Sequence, residues 1–107
     1  MKKILFVCSK NQWRSPTAER IFRNRSAVSV RSAGTASSAR RKISNKDIEW
    51  ADVILVMEDK HKSRIKAEFR NVLNHTRIDV LDIPDDYPFM DPELIEILEA
   101  KVSPYLN

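Results

Sequence analysis

Short apolar runs that alternate with helical segments are the feature that most constrains the fold of this chain. Residues 51–57 form a strongly apolar run of strand length, which is typical of a central strand with both faces covered. Periodicities of 2 and of 3.6 residues assign the other elements. Three further strands are predicted at residues 3–7, 27–32 and 78–83, with helices at 15–25, 58–73 and 91–102 and a helical turn at 47–50. This alternation predicts an α/β fold, with a small, doubly wound, four-stranded parallel sheet and helices on both faces.

Length and composition bound the class of protein. A chain of 107 residues has room for one core, so we expect a single domain over residues 1–107. Hydrophobic residues (42%) and charged residues (32%) occur in the proportions of a soluble globular protein. No apolar stretch approaches the ~20 residues of a membrane span, and the run after the basic N-terminus is too short for a signal peptide. The one cysteine cannot form an internal disulfide, and its free thiol suits a reducing cytoplasm.

Charge is distributed unevenly along the chain. Residues 1–46 carry a net charge of +11, and residues 47–107 carry a net charge of −7. A basic half can attract an anionic substrate, or it can simply pack against the acidic half. Nucleic acid is an unlikely partner, because no known binding module is recognisable and the basic half has few aromatic residues.

The residues after the first predicted strand suggest a specific chemistry. Cys8 directly follows that strand, and Arg14 comes six residues later, where a helix begins. Free backbone N–H groups and the positive end of the helix dipole converge in such a loop, which makes it an anion site that favours a thiolate. A guanidinium adds a planar grip on two phosphate oxygens. We therefore predict a phosphate-binding loop and phosphoryl transfer through Cys8, the alternative being a buried, inert cysteine and a solvated Arg14.

The topology brings distant segments to this loop. In parallel α/β sheets, ligands bind at the carboxyl ends of the strands. Gly34, the only glycine, is expected to end the second strand, and residues 84–86 follow the fourth. The Cys8 loop, the turn at Gly34 and the loop at residues 84–86 are thus expected at one edge of the sheet.

Five segments of the chain resemble the low-molecular-weight protein tyrosine phosphatases and occur in that family's order. They are residues 8–15 (CSKNQWRS), 14–19 (RSPTAE), 31–35 (RSAGT), 51–57 (ADVILVM) and 82–85 (DIPD). Because these segments are spread over residues 8–85, which is most of the chain, the resemblance is specific. It implies a cysteine-dependent hydrolase that needs no metal and no cofactor, since positive groups of the loop meet the charge of the phosphate.

The resemblance also implies roles for individual residues. Cys8 matches the nucleophile, Arg14 the residue that binds the equatorial oxygens, and Ser15 the serine that hydrogen-bonds the thiolate. Asp85 matches the general acid that protonates the leaving group and then activates water. The residues expected to bind phosphate or substrate are Ser9, Lys10, Asn11, Gln12, Trp13, Arg14 and Tyr87, the last flanking the aromatic ring of the substrate.

Other residues have a supporting or uncertain part. Asn11 matches a loop asparagine with an unusual backbone conformation, and Ser32 matches the serine that partners it. Trp13 either stacks on a substrate ring or covers the base of the loop. His61 and His75 are expected at the surface, in or after a solvent-facing helix.

The chain departs from the family pattern within these segments. Lys10 stands where the family has a glycine, which adds a positive charge near the phosphate. Trp13 replaces a frequent second cysteine, so an oxidised Cys8 has no internal disulfide partner. Asp86 replaces the proline that usually follows the catalytic aspartate. Asp85 and Asp86 are therefore alternatives for the general acid, and spacing to the last helix favours Asp85.

A larger departure lies between the second and third strands. Only residues 36–51 separate Thr35 from Asp52. The crossover helix of the family is therefore expected to be deleted, together with the histidine that it supplies to the asparagine–serine network. We expect a shallower site and a phosphate loop with less support.

Taken together, the chain is predicted to hydrolyse aryl phosphate monoesters such as phosphotyrosine through a phosphocysteine intermediate. Its partners would be a phosphorylated protein or a small aryl phosphate, with inorganic phosphate as the product. The alternative is a catalytically weak module that binds phosphate or a phosphopeptide on the same fold.

Overall fold

The predicted alternation of strands and helices is confirmed. The computed structural model describes residues 1–73 and 75–106. Its strands are all parallel, in the spatial order β2-β1-β3-β4. In chain order the elements are β1 (Lys2–Cys8), α1 (Arg14–Phe22), β2 (Val28–Gly34), α2 (Asn45–Trp50), β3 (Val53–Val56), α3 (Asp59–Glu68), β4 (Arg77–Val80) and α4 (Pro92–Val102), followed by a 3₁₀ turn at Ser103–Tyr105.

The sheet is covered on both faces, as predicted. Side chains of β1 alternate between the two faces, because successive residues of a strand point in opposite directions. Ile4, Phe6 and Cys8 pack with α1 and α4, where Leu94 and Leu98 are fully buried. The other face of β1 packs with α2 and α3, through a second cluster that includes Leu5, Val7, Ile48 and Ile65. Within the described residues, no helix is both long and apolar enough to cross a bilayer.

Several element boundaries differ from the prediction. Helix α1 ends at Phe22 and not at residue 25. The ring of Phe22 stacks on that of Phe6, with the ring centroids 5.8 Å apart. Helix α3 ends at Glu68, because Phe69 leaves helical geometry and turns its side chain into the core. Both α1 and α3 thus end at or next to a buried phenylalanine, earlier than the periodicity of the sequence indicates.

Strand β2 ends at Gly34, as expected. Gly34 pairs in register with Cys8 at the end of β1. A Cβ atom at this position would lie 2.5 Å from the Ser9 carbonyl oxygen and 2.6 Å from the Cβ atom of Ala39. The glycine is required here because the Ser9 carbonyl and the Ala39 side chain leave no room for a Cβ atom.

The helical turn that was predicted at residues 47–50 is confirmed within the short crossover between β2 and β3. It forms α2, a helix of six residues. Ser44 caps this helix, and Asp47 completes a reciprocal capping box with the backbone N–H of Ser44. Buried Ile48 attaches α2 to the sheet.

Candidate active site

The loop between β1 and α1 lies at the carboxyl edge of the sheet, together with the segments that were predicted to join it. The N–H of Thr35 donates to the carbonyl of Cys8 at 3.0 Å, and the N–H of Ala36 donates to that of Ser9 at 3.0 Å. From the other side, Arg14 donates to the carbonyl of Ile83 at 2.8 Å. The three segments therefore meet at one site.

Helix α1 begins at this loop without a side-chain cap. Its N-cap residue is Trp13, which offers no acceptor to the first turn. In contrast, α2 and α4 are capped by Ser44 and Asp91, respectively. The orphan N–H groups of the first turn of α1 are therefore available to an anion, and the helix dipole acts in the same direction.

The sulfur of Cys8 lies in a polar setting inside the loop. Cys8 is 3% exposed, and its Sγ is 3.0 Å from the Oγ of Ser15. Asn11 donates from Nδ2 to the same Oγ at 2.9 Å. Because Asn11 already donates to this hydroxyl, the Ser15 proton is directed toward Cys8 or toward the Ala33 carbonyl at 3.3 Å. The sequence-based pairing of Cys8 with Ser15 is thus present in the structure.

Asn11 has the backbone and the partner that the resemblance implied. Its φ is 55°, in the left-handed region that Asn tolerates better than most residues. Its Nδ2 also donates to the Oγ of Ser32 at 3.0 Å. Ser32 in turn donates to Oε1 of Glu19, so a glutamate from α1 ends the network in which a histidine was expected to be missing.

The segment after β2 also supports the loop. The Nε of Arg40 donates to the carbonyl of Asn11 at 3.0 Å, and its backbone N–H donates to that of Lys10 at 3.0 Å. Arg41 bridges the Ser32 carbonyl and the buried carboxylate of Asp47. The expectation of a weakly supported loop is therefore not met. Sequence reasoning missed Glu19 and Arg40 because both act through residues far along the chain.

Arg14 is buried beneath the loop, with only 2% of its side chain exposed. One terminal nitrogen donates to the Glu58 carboxylate and to the Ile83 carbonyl. The Nε atom lies 3.4 Å from Oδ1 of Asp85, and among the described residues it makes no hydrogen bond. A buried guanidinium N–H without a partner is costly, so it marks the position where an anion is expected to bind.

A cavity of about 150 Å³ opens between these groups. It is lined by Cys8, Lys10, Gln12, Trp13, Arg14 and Asp85. The cavity thus combines the sulfur, the guanidinium and one of the two candidate acids. Asp86 is not part of this lining. Tyr87, which was expected to flank the substrate, is also not part of this lining; it is half-buried against the α1–α4 side of the core, and its hydroxyl donates to Glu93 at 3.2 Å.

The expectation that His61 lies at the surface is wrong. His61 is 1% exposed, and its Nδ1 accepts the backbone N–H of Glu58 at 3.0 Å. Burial lowers the pKa of His61 to about 4, and the positive charge of Arg14 acts in the same direction. The ring is therefore neutral near pH 7. Because its Nδ1 accepts, its Nε2 must carry the proton, which it donates to the Oγ of Ser9 at 2.9 Å. His75, in contrast, is exposed as predicted.

Glu58 links this histidine to the guanidinium. Burial opposes its ionisation, but the hydrogen bond and the positive charge of Arg14 outweigh that effect and lower the pKa of Glu58 below its ordinary value. The ionised carboxylate holds Arg14, while the backbone of the same residue orients His61. A signal for Glu58 was present in the sequence, because it follows the third strand at the carboxyl edge. Within the described residues, no group of three His, Cys, Asp or Glu side chains could hold a metal ion.

A cysteine in a loop that opens onto an uncapped helix, with a buried arginine beneath it, is the arrangement that a cysteine-dependent phosphatase requires. The family model of the low molecular weight phosphotyrosine protein phosphatases matches residues 3–49, which contain the loop and β2. The resemblance to this family is thereby confirmed over residues 3–49. No curated protein sequence matches it significantly.

Solved structures show that the family fold extends over the whole chain. SP-PTP, a low molecular weight protein tyrosine phosphatase from Streptococcus pyogenes, is 20% identical with a TM-score of 0.80, over 99% of this chain and 91% of that one. The tyrosine phosphatase Wzb from Escherichia coli K30, solved with phosphate, is 22% identical with a TM-score of 0.77, over 98% and 96%. The YwlE arginine phosphatase from Geobacillus stearothermophilus is 26% identical with a TM-score of 0.66, over 97% and 85%.

Proposed function

We propose that this chain hydrolyses aryl phosphate monoesters, such as phosphotyrosine, through a phosphocysteine formed on Cys8. The observation that carries the proposal is the buried Nε of Arg14, which has no hydrogen-bond partner among the described residues and belongs to a residue that lines one small cavity with Cys8. A phosphate dianion would satisfy this N–H and the free N–H groups of α1 together.

In the first step, Cys8 attacks phosphorus as the thiolate. The P–S bond forms while the bond from phosphorus to the aryl oxygen breaks, and the carboxyl proton of Asp85 goes to that oxygen. Charge spreads over the three equatorial oxygens in the transition state, where Arg14 and the loop N–H groups stabilise it. The hydroxyl of Ser15, 3.0 Å from the sulfur, stabilises the thiolate before attack and after its release.

In the second step, water replaces the thiolate. The Asp85 carboxylate takes a proton from the water as its oxygen attacks phosphorus, the P–S bond breaks, and inorganic phosphate leaves. Asp85 is favoured over Asp86 because it lines the cavity with Cys8 and lies 3.4 Å from Arg14 Nε. No cofactor or metal is needed, and a cytoplasmic location remains a prediction from the free thiol.

Rapid quenching with a denaturing detergent at neutral pH, with a ³²P-labelled aryl phosphate as the substrate, tests the proposal. Wild type should trap label on the protein, and Cys8→Ser should neither release the phenol at a comparable rate nor form the acid-labile thiophosphate. Inorganic phosphate should also protect Cys8 from iodoacetate. Full turnover by Cys8→Ser would overturn the phosphocysteine route.

A second candidate is a phosphate-binding module with weak turnover. Two carboxylates, Glu58 and Asp85, lie beside Arg14 and disfavour a dianion there. Protection of Cys8 by phosphate without any trapped label or phenol release would support this candidate.

A further inference from the structure

We call the cavity of about 150 Å³ that Cys8, Arg14 and Asp85 help to line the phosphate pocket. A second cavity adjoins it and shares two of its lining residues. It measures about 320 Å³ and is lined by Gln12, Trp13, Pro16, Arg40 and Phe89, of which Gln12 and Trp13 also line the phosphate pocket. Trp13 is 44% exposed and Phe89 is 45% exposed, the largest exposures of any aromatic residues in the described chain. Two exposed aromatic rings beside a reactive pocket are suited to contact with a bound substrate.

A third cavity continues the same surface along α1. It measures about 290 Å³ and shares Pro16, Arg40 and Phe89 with the second. Its other lining residues are Arg20 and Arg23, which add two cations, and Glu19, whose carboxylate accepts a hydrogen bond from Ser32. Pro16, Arg20 and Arg23 follow at intervals of four and three residues, so they lie on one face of the helix. Among the described residues, no carboxylate forms an ion pair with Arg20 or Arg23. We call these two cavities together the arginine groove.

We propose that the arginine groove binds the residues that flank the phosphorylated residue of an acidic phosphoprotein segment. The phosphate would enter the Cys8 pocket, an apolar neighbour would contact Phe89, and acidic side chains would pair with Arg20 and Arg23. The inference rests on the proposed phosphatase function and specifies its substrate class. Arg40 connects the two sites, because its Nε donates to the Asn11 carbonyl in the phosphate loop while Arg40 also lines the groove.

The charge around the site favours a peptide over a nucleic acid. On the side of Arg14, the surface carries Glu58, Asp59 and Asp82, which line a cavity of about 360 Å³ with Lys60 and Pro84. A nucleic acid has a negative charge at every residue, so any part of it that crosses this side would be repelled. A peptide can place acidic side chains on the arginine groove alone, with neutral or basic ones elsewhere.

The test compares phosphotyrosine peptides that carry glutamate or glutamine beside the phosphorylated residue, with nitrophenyl phosphate as a substrate that lacks flanking residues. Wild type should prefer the acidic peptide in kcat/KM. Arg20→Gln/Arg23→Gln should lose about three- to tenfold on that peptide, the effect of two exposed ion pairs. Its activity on the glutamine peptide and on nitrophenyl phosphate should be unchanged. Phe89→Ala should weaken both peptides and spare nitrophenyl phosphate.

Lys62→Gln/Lys66→Gln is the matched control, because it removes the same charge from α3 and lines a different cavity. An equal loss in this control would assign the effect to net charge and overturn the inference. Equal activity of wild type on both peptides would also overturn the inference. A preference for a 5′-phosphorylated oligonucleotide that the arginine variant loses would do the same. If wild type does not hydrolyse nitrophenyl phosphate, the proposed function fails separately. Fluorescence anisotropy with the acidic phosphopeptide then tests binding to the arginine groove separately. Equal affinity of the arginine variant and wild type would refute the proposal.

Discussion

Two loops meet at the candidate site, and they are held in different ways. The phosphate loop, residues 8–15, is anchored by buried side chains on several sides, with Asn11 bonded to Ser15 and Ser32. The acid loop, residues 82–91, is mostly exposed apart from buried Ile83. It has left-handed residues near both ends, Asp82 at φ 57° and Met90 at φ 63°. Its Asp85 side chain is 56% exposed. The rigid loop suits stabilisation of a fixed charge distribution, and the exposed loop suits exchange of protons with water and with leaving groups.

Arg14→Lys tests the phosphate loop and should have the largest effect. Lysine keeps a charge but loses the planar grip that strengthens as charge spreads over the equatorial oxygens, so kcat should fall several hundredfold, typical of losing a transition-state stabiliser. Steady-state turnover of nitrophenyl phosphate measures this, with Arg25→Lys as the surface control. Near-wild-type turnover would remove Arg14 from the mechanism.

Asp85→Asn tests the acid loop. Turnover of phenyl phosphate, which has a poor leaving group, should fall on the order of a hundredfold, and nitrophenyl phosphate should suffer less because its phenolate needs less protonation. Asp86→Asn is the matched control and should show little dependence on the leaving group. A steep dependence in the Asp86 variant instead would move the general acid by one residue.

His61→Gln tests whether the phosphate loop depends on a neutral histidine. The folded protein has a His61 pKa of about 4, below the ordinary 6.5, so the unfolded chain binds more protons between these values. This contribution to the free energy of unfolding, about 3 kcal/mol, is fully present above pH 6.5 and is lost as the pH falls from 6.5 to 4.

Urea unfolding at several pH values measures this difference. His61→Gln should flatten the pH dependence between 6.5 and 4, while the exposed His75→Gln should keep it. An unchanged slope in His61→Gln would show that other groups cause the acid sensitivity.

Ser32→Ala should have the smallest effect. It removes one acceptor of Asn11 and the hydroxyl that donates to Glu19, but Asn11 keeps its bond to Ser15. We expect a loss of about 1 kcal/mol in stability and a few-fold loss of turnover. Thermal unfolding and kcat measure both, against Ser29→Ala on the same strand. A hundredfold loss of turnover would mean that the network is central to loop geometry.

The parts of the molecule that follow from local pattern were predictable. Apolar runs located the strands, Asp91 and Pro92 located the start of α4, and topology brought Cys8, Gly34 and Asp85 to one edge. The roles that depend on how distant segments pack together were not predictable from the sequence. Glu58 and His61 have ordinary surface-helix spacing, and only their position after β3 turns them toward Arg14 and Ser9.

The same limit explains the support of the phosphate loop. Sequence alone showed that a histidine was missing from the crossover. It did not show that Glu19, on α1, reaches Ser32, or that Arg40 reaches the Asn11 carbonyl. Both contacts join segments whose spacing depends on how α1 packs on the sheet.

The uncapped start of α1 gives the reaction product an influence on the thermal behaviour of the whole protein. Because Trp13 supplies no cap, a bound phosphate would complete the first turn of the helix, which the unfolded chain cannot offer. An anion that binds only the folded state stabilises it, by about 2.7 kcal/mol at a hundred times its dissociation constant. The melting temperature of this protein should therefore rise with the concentration of inorganic phosphate, and it would report product occupancy without any enzyme assay.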